Sequence, residues 1–240
     1  MHVAETAGYI LQTMGYDERT VELAKIAGYL HDIGNLVNRK DHSQSGAVMA
    51  WSILSDMGCD PAEMAGYILT TMGYDDRTVE LARIAGYLHD IGNLVNRSEH
   101  SQSGAVMAWT LLQSMGCDPG ELATIVTAIG NHDEGTGVPV NPVAAALILA
   151  DKADVRRSRV RNQEISTFDI HDRVNYSVKK SELKINSDRT LVKLKLTVDT
   201  RYGSVMDYFE IFLGRMVLCR KAAERLGLQF KLIINEQQLI

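Results

Sequence analysis

The chain has 240 residues, of which 45% are hydrophobic, so it is long enough to bury one large core or two small ones. Its 25 basic and 30 acidic residues give a net charge of −5, which argues against general nucleic-acid binding. No apolar run reaches membrane-spanning length, and the three cysteines lack the paired spacing of a metal or redox motif. We therefore expect a cytoplasmic protein with reduced thiols and no membrane partner.

The N-terminal half contains an internal repeat. Residues 7–61 align without gaps with residues 65–119, and the two copies differ at nine of the 55 aligned positions. Two units are too few for a solenoid, which needs at least three repeats to bury a continuous core. The pattern therefore indicates a tandem duplication, natural or engineered, of part of a helical domain.

Apolar residues at helical spacing predict the same three helices in each copy. The predicted helices cover about 3–14, 18–33 and 43–57, and in copy two about 61–72, 76–91 and 101–115. In copy two, Asp75 is placed to cap the middle helix and Gly92 to end it. Near its end this helix carries the dipeptide His89-Asp90, which copy one repeats as His31-Asp32.

Two further helices follow the repeat. One starts at Asp118 and ends near Gly130, with Glu121 placed to complete a capping box. The other is predicted from Val143 to about Arg161. The residues before Asp151 are apolar on every side of this helix, which predicts that it is buried.

The pattern changes after about residue 165. Alternating apolar and polar residues predict a β-hairpin over 181–185 and 191–200, then an amphipathic helix over 205–226 and a strand around 230–234. The predicted fold class is therefore mainly α, with a small C-terminal α+β (ββαβ) subdomain. The predicted domains are the first copy of the three helices at 1–59, a complete helical domain at 60–164 and the subdomain at 165–240.

Several residues that commonly carry chemistry lie at helix ends or on apolar helix faces, and these are His89, Asp90, His100, His132 and Asp151. Each has a structural interpretation when taken alone, such as a helix-end ion pair, an N-cap or a loop histidine. A buried carboxylate, however, is costly unless it is paired or ligates a metal. Imidazoles and carboxylates without a cysteine suit divalent Mn, Fe, Co, Zn or Mg and argue against a structural zinc site.

The order of these residues resembles the HD-domain superfamily of metal-dependent phosphohydrolases. The resemblance covers about residues 1–161 and implies a helical bundle with two divalent metal ions. The metal ligands it implies are His89, Asp90, His100, His132 and Asp151, with His2 as the first histidine and His31, Asp32 and His42 as the alternative set from copy one. Asp90 is the ligand that would bridge the two ions.

The resemblance also implies the reaction, which is cleavage of a nucleotide-like phosphoester or phosphoanhydride by a metal-activated water. Asp133 and Glu134 are candidates for a proton donor to the leaving group or for residues that hydrogen-bond to the metal ligands. Asp133, Asp90 and Lys152 are the predicted catalytic residues. Lys152, Arg156 and Arg159 would form one helical stripe and are the candidate phosphate-binding residues, unless the stripe is a solvated charged face. A nucleotide or another phosphorylated small molecule is the expected partner.

Other functions remain compatible with the sequence. The same superfamily includes di-iron oxygenases, and an inactive structural variant or a nucleotide-binding sensor would also keep these residues. The short connection at 116–118 favours copy two as the source of the metal site, although copy two has Asp60 where copy one has His2. Exchange of duplicated helices between two chains would give a homodimer.

Overall fold

A computed structural model of the chain describes residues 3–15, 17–18, 20–22, 24–25, 61–155, 157, 160, 168, 170–202 and 204–239. It divides the chain into two compact units, residues 1–57 and 58–240. The sequence-predicted residues outside the described part are His2, His31, Asp32, His42, Asp60, Arg156 and Arg159. The domain boundaries predicted at residues 59 and 164 stay predictions.

The two copies build the same helix cap. In the first unit, helix α1 covers Val3–Thr13, as predicted. Beyond it, the Asp17 carboxylate accepts hydrogen bonds from the Thr20 backbone N–H at 2.9 Å and from its hydroxyl at 2.7 Å. In copy two, Asp75 accepts the same two bonds from Thr78 at the same distances, 2.9 and 2.7 Å. The predicted cap at Asp75 is therefore confirmed, and the described part of copy one repeats it.

The second unit begins with a set of helices. They are α2 (Pro61–Met72), α3 (Asp76–Leu88), a 3₁₀ turn (Ile91–Leu94), α4 (His100–Ser114), α5 (Pro119–Gly130) and α6 (Pro142–Ala153). Asp118 caps α5 by accepting hydrogen bonds from the backbone N–H groups of Gly120 and Glu121 at 2.8 and 3.2 Å. Glu121 does not complete the predicted capping box, because its carboxylate accepts a hydrogen bond from Arg77 Nε at 2.6 Å.

The C-terminal part combines helices with a small mixed sheet. Its elements are α7 (Ile170–Ser177), β1 (Val178–Ile185), β2 (Leu191–Val198), α8 (Val205–Arg225), β3 (Gln229–Ile234) and β4 (Gln237–Gln238). The strand order is β1-β2-β3-β4, in which β2 and β3 are parallel and the other two pairs are antiparallel. The predicted ββαβ order is confirmed, and α7 and β4 are additional elements.

Helix α6 forms the buried centre of the second unit. All its residues from Val143 to Ala153 are buried, as predicted, and α2, α3, α5 and α8 pack around it. The predicted extension to Arg161 is wrong, because Asp154 leaves the helical conformation with φ −81° and ψ 71°. The predicted stripe of Lys152, Arg156 and Arg159 stays a prediction, because Lys152 lies in α6 but the two arginines lie outside the described residues.

The helices of the described part of the chain are too short or too polar to cross a bilayer.

Helices α2 and α3 approach each other closely at Gly86. A Cβ atom at this position would lie 2.4 Å from Ala62 Cα and 2.6 Å from Ala62 N. Both neighbours are backbone atoms, which cannot move without shifting α2. Glycine therefore allows the two helices to pack at this distance.

Replacement of Gly86 by alanine should consequently lower the free energy of unfolding by about 1–3 kcal/mol, the usual effect of overpacking. Gly130→Ala is the matched control, because a Cβ there would meet Ala105 Cβ at an ordinary 3.5 Å. Urea unfolding of the three proteins measures the effect. Equal midpoints for Gly86→Ala and wild type would contradict this account of the α2–α3 contact.

Candidate metal centre

The second unit brings all five predicted copy-two ligands into one cluster. His89 and Asp90 follow α3, His100 is the first residue of α4, His132 follows α5, and Asp151 lies in α6. His89, His132 and Asp151 are buried, and the other two are partly exposed. The cluster thus lies where four helices meet, open to solvent on one side.

Asp90 lies at the middle of the cluster. Its Oδ2 is 3.5 Å from His89 Nε2, whereas its Oδ1 is 3.3 Å from His100 Nε2 and 3.8 Å from His132 Nε2. On the His89 side, Asp151 Oδ1 is 3.7 Å from the same Nε2 atom. The two oxygens of Asp90 therefore face different histidines. Oδ2 faces His89, and Oδ1 faces His100 and His132.

Backbone hydrogen bonds select one tautomer for the three histidines. Each Nδ1 lies next to a backbone carbonyl oxygen three residues earlier, and these belong to Gly86 for His89 (2.7 Å), Arg97 for His100 (3.0 Å) and Ile129 for His132 (2.7 Å). A carbonyl oxygen only accepts, so Nδ1 carries the hydrogen and Nε2 of the neutral ring has a free lone pair. This pairing is typical of metal-binding histidines.

Two of these nitrogens fit a shared ion. His100 Nε2 and His132 Nε2 are 3.1 Å apart, and two lone pairs at this distance repel unless a proton or a cation lies between them. Two imidazoles bound to one ion at about 2.0–2.1 Å, with a bond angle between octahedral and tetrahedral, place their nitrogens about 2.9–3.3 Å apart. The observed distance lies within this range.

The other side of the cluster also offers ligand atoms. Within the described residues, His89 Nε2 is buried without a hydrogen-bond partner. A ligand atom from each of His89, Asp90 and His132 can be chosen so that all three lie within 4.8 Å of one another. A buried nitrogen acceptor beside two carboxylates fits a divalent cation, so the donor set around His89 and Asp90 is suited to hold one.

The cluster attracts positive charge. Burial alone would raise the pKa of Asp90, but the nearby His89 holds that pKa well below its usual range. Burial alone would likewise lower the pKa of His89, yet the charges of Asp90 and Asp151 raise this pKa to about 9. The hydrogen bond to Asp90 also raises the pKa of His100. When no metal is bound, protons on the histidines thus balance the negative charge of the carboxylates.

Lys152 lies beside the cluster with a buried ammonium group. Its Nζ is 2.7 Å from Asp151 Oδ2, 2.9 Å from Glu134 Oε2 and 3.7 Å from Asp133 Oδ1. Burial alone would lower the pKa of Lys152, but Asp151 and Glu134 outweigh it and raise this pKa to about 12. The phosphate-binding role expected of Lys152 stays a prediction, and the neighbours of its ammonium group in this structure are carboxylates.

The acidic residues Asp133 and Glu134 have opposite environments. Burial and a hydrogen bond with Glu134 raise the pKa of Asp133, whose side chain is 35% exposed. Burial would also raise the pKa of Glu134, but the hydrogen bond with Asp133 and the charges of Lys152 and Arg215 hold it well below its usual range. Asp133 therefore retains a proton more readily than its neighbour.

Arg215 of α8 completes the charged surroundings of the cluster and was not among the residues predicted from the sequence. Its Nε donates a hydrogen bond to Glu134 Oε1. The position of Arg215 in the sequence of α8 could have indicated this role. Its neighbours at helical spacing are the apolar residues Phe212, Met216 and Cys219, which are buried. A cation between such neighbours predicts a buried anionic partner.

Gly92 explains how His100 comes to lie beside Asp90. A Cβ atom at Gly92 would lie 1.9 Å from the His100 backbone oxygen and 2.6 Å from Gly104 N. The 3₁₀ turn after Asp90 therefore packs directly on the start of α4. Only glycine permits this contact, which brings the His100 side chain to Asp90.

Neither a scan against models of known protein families nor a search of curated proteins found a match to this chain. Its function is therefore inferred from the arrangement of its own residues.

Gly92→Ala should push the start of α4 away from Asp90 and weaken Mn²⁺ binding, which a titration followed by the electron paramagnetic resonance of free Mn²⁺ measures. The repeat provides a matched control, since Gly34 occupies the same place in copy one. Gly34→Ala should leave Mn²⁺ affinity unchanged if copy two builds the site. The reverse pattern would assign the site to copy one.

Proposed function

We propose that the chain is a metal-dependent phosphohydrolase of the HD-domain type, acting on a nucleotide-like phosphoester or phosphoanhydride. One observation carries the proposal. The Nε2 atoms of His89, His100 and His132 converge on Asp90 and Asp151, while every Nδ1 is held by a backbone carbonyl. Mixed imidazole and carboxylate ligands suit divalent Mn, Fe, Co or Zn, with Mg as the harder alternative.

The placement of Asp90 supports two ions rather than one. Its Oδ2 faces His89 and its Oδ1 faces His100 and His132, so Asp90 would offer one oxygen to each of two ions. Bound there, divalent ions would supply a water of lowered pKa and stabilise negative charge on the phosphoryl oxygens. The ordered His and Asp residues that resemble the HD superfamily are the same residues that meet in this cluster.

The chain's own residues divide the remaining tasks. The three histidines offer neutral nitrogen ligands in fixed orientations, and the carboxylates of Asp90 and Asp151 balance the charge of the cations. Asp133 is partly exposed at the edge of the cluster and follows His132 directly. We assign to it the transfer of a proton to the leaving group, because it is not a proposed metal ligand and its side chain is more exposed than that of Glu134, at 35% against 25%.

Removal of the metal tests the reaction. Chelator-treated protein should release no phosphate from nucleotides or dinucleoside polyphosphates and should regain activity with Mn²⁺, Fe²⁺ or Co²⁺. Failure of a broad panel of these substrates with every metal would refute the hydrolase proposal. Oxygen consumption by the iron-loaded protein without phosphate release would favour the oxygenase alternative.

Two ligands have no counterpart in copy one, so their loss cannot be compensated within the chain. Asp151→Ala and His132→Ala should each lower activity by roughly 100-fold or more, since even residues around metal ligands cost 10–100-fold. Phosphate release and bound metal are measured together. Activity within a few-fold of wild type would place the site elsewhere.

The repeat offers a matched pair for the other ligands. The double variant His89→Ala with Asp90→Ala should lose both metal and activity, whereas His31→Ala with Asp32→Ala should keep both. These variants remove the same two side chains from nearly the same sequence. The opposite result would show that copy one provides the site.

A further inference from the structure

A chain of ion pairs connects the metal centre with the C-terminal subdomain. Asp151 binds the Lys152 ammonium group at 2.7 Å, Lys152 binds Glu134 at 2.9 Å, and Glu134 accepts a hydrogen bond from Arg215. The first two residues belong to α6, Glu134 lies in the loop after α5, and Arg215 lies in α8. Three separate parts of the chain therefore meet in one charged network.

Each carboxylate in this network is divided between two partners. Asp151 directs Oδ2 to Lys152, while its Oδ1 lies 3.7 Å from His89 Nε2 in the proposed metal centre. Glu134 directs Oε2 to Lys152 and Oε1 to Arg215. Because Lys152 binds one oxygen of Asp151, the network restricts rotation of this carboxylate and fixes its orientation relative to the metal centre.

Arg215 is itself held in place. Its guanidinium carbon lies 4.6 Å from the centre of the Phe212 ring, which is 1% exposed. Only 26% of the Arg215 side chain is exposed. Stacking and partial burial leave the guanidinium group few alternative positions, so it holds Glu134 in a defined orientation.

The loop that carries Glu134 also rests on α8 through small residues. A Cβ at Gly137 would lie 3.0 Å from Leu218 Cδ2, and a Cβ at Gly214 would lie 3.9 Å from Glu134 Cβ. This contact does not depend on the ion pairs. It shows that α8 packs directly on the segment that contains His132 and Glu134.

We propose that Arg215 is a positioning residue for the metal centre and acts through Glu134 and Lys152 to orient the Asp151 carboxylate. This inference rests on the proposed function, since it takes Asp151 to be a metal ligand. The C-terminal α+β subdomain then contributes a necessary part of the centre from α8. Arg215 pairs with Glu134, which is not a proposed ligand, so its effect passes through the side chains of Glu134 and Lys152.

The direction in which Arg215→Met changes the Mn²⁺ affinity distinguishes a positioning role from a purely electrostatic one. Arg215→Met removes a positive charge near a cation site, and this effect alone would tighten Mn²⁺ binding. Loss of positioning would weaken it, because Glu134 would no longer hold Lys152 against Asp151. We expect Arg215→Met to weaken Mn²⁺ binding by roughly tenfold, the lower end of the effect of residues that orient metal ligands.

The experiment compares variants of the full chain. Free Mn²⁺ is followed by electron paramagnetic resonance, and the visible spectrum of the Co²⁺-loaded protein reports the coordination geometry. Arg215→Lys, which keeps the charge, should recover most of the affinity. Arg220→Met is the matched control, because Arg220 lies on the same helix, is 54% exposed and pairs with Glu224 at 3.9 Å. It should change neither measurement.

A double variant tests the route. If Arg215 acts through Glu134, Glu134→Gln with Arg215→Met should bind Mn²⁺ no more weakly than the weaker single variant. Fully additive losses would overturn this route.

Each outcome has a separate meaning. Wild-type protein that binds neither Mn²⁺ nor any of the other proposed divalent ions would refute the proposed function. Wild-type protein that binds Mn²⁺, with equal or tighter binding by Arg215→Met and an unchanged Co²⁺ spectrum, would overturn only the positioning role. If Arg215→Met does not fold, Arg215→Leu, which also lacks an N–H donor for Glu134, is judged by the same criterion.

Discussion

The buried charge pair Asp151–Lys152 is the constraint on which the rest of the site depends. It lies in a helix whose residues from Val143 to Ala153 are all buried, where a carboxylate without a partner would be costly. Lys152 satisfies one oxygen, and the other faces His89. The surrounding elements supply the groups that this arrangement needs: α3 provides His89, the loop after α5 provides Glu134, and α8 provides Arg215.

The main chain fixes the site as much as the side chains do. The three carbonyl oxygens that hold the Nδ1 atoms come from the last turns of α3 and α5 and from the residues before α4. The direction of the His89 and His132 rings therefore follows from where α3 and α5 stop, and that of the His100 ring follows from where α4 starts. Ligand geometry is therefore coupled to helix length, and a change of one turn would redirect a ligand.

Much of the site was predictable because its residues occupy recognisable places along the chain. His89-Asp90 stands at a helix end before a glycine, and Asp151 stands in an apolar helix, so local patterns predicted both positions. The strand and helix order of the C-terminal part followed from periodicity in the same way. In each of these cases the signal lies within one element.

The remaining features depend on contacts between elements. The end of α6 at Ala153 is not marked by a glycine or a proline, and the apolar pattern alone predicted a longer helix. Glu121 fits a capping box in sequence, but Arg77 of α3 binds it instead. The partnership of Lys152 with Glu134 and Arg215 joins three segments. No local pattern contains such information, because the choice of partner is made when the elements pack.

The repeated cap at Asp17–Thr20 and Asp75–Thr78 has a consequence for how the chain folds. The same local bonds start the middle helix of both copies, so short-range energetics do not distinguish them. The choice between copies then depends on the length of chain that must close before a copy reaches α5 and α6. Closing the longer loop costs more chain entropy, about 0.6 kcal/mol for each doubling of loop length, which favours copy two. The entropy of loop closure thus favours one of two nearly identical sequences as the partner of α5 and α6.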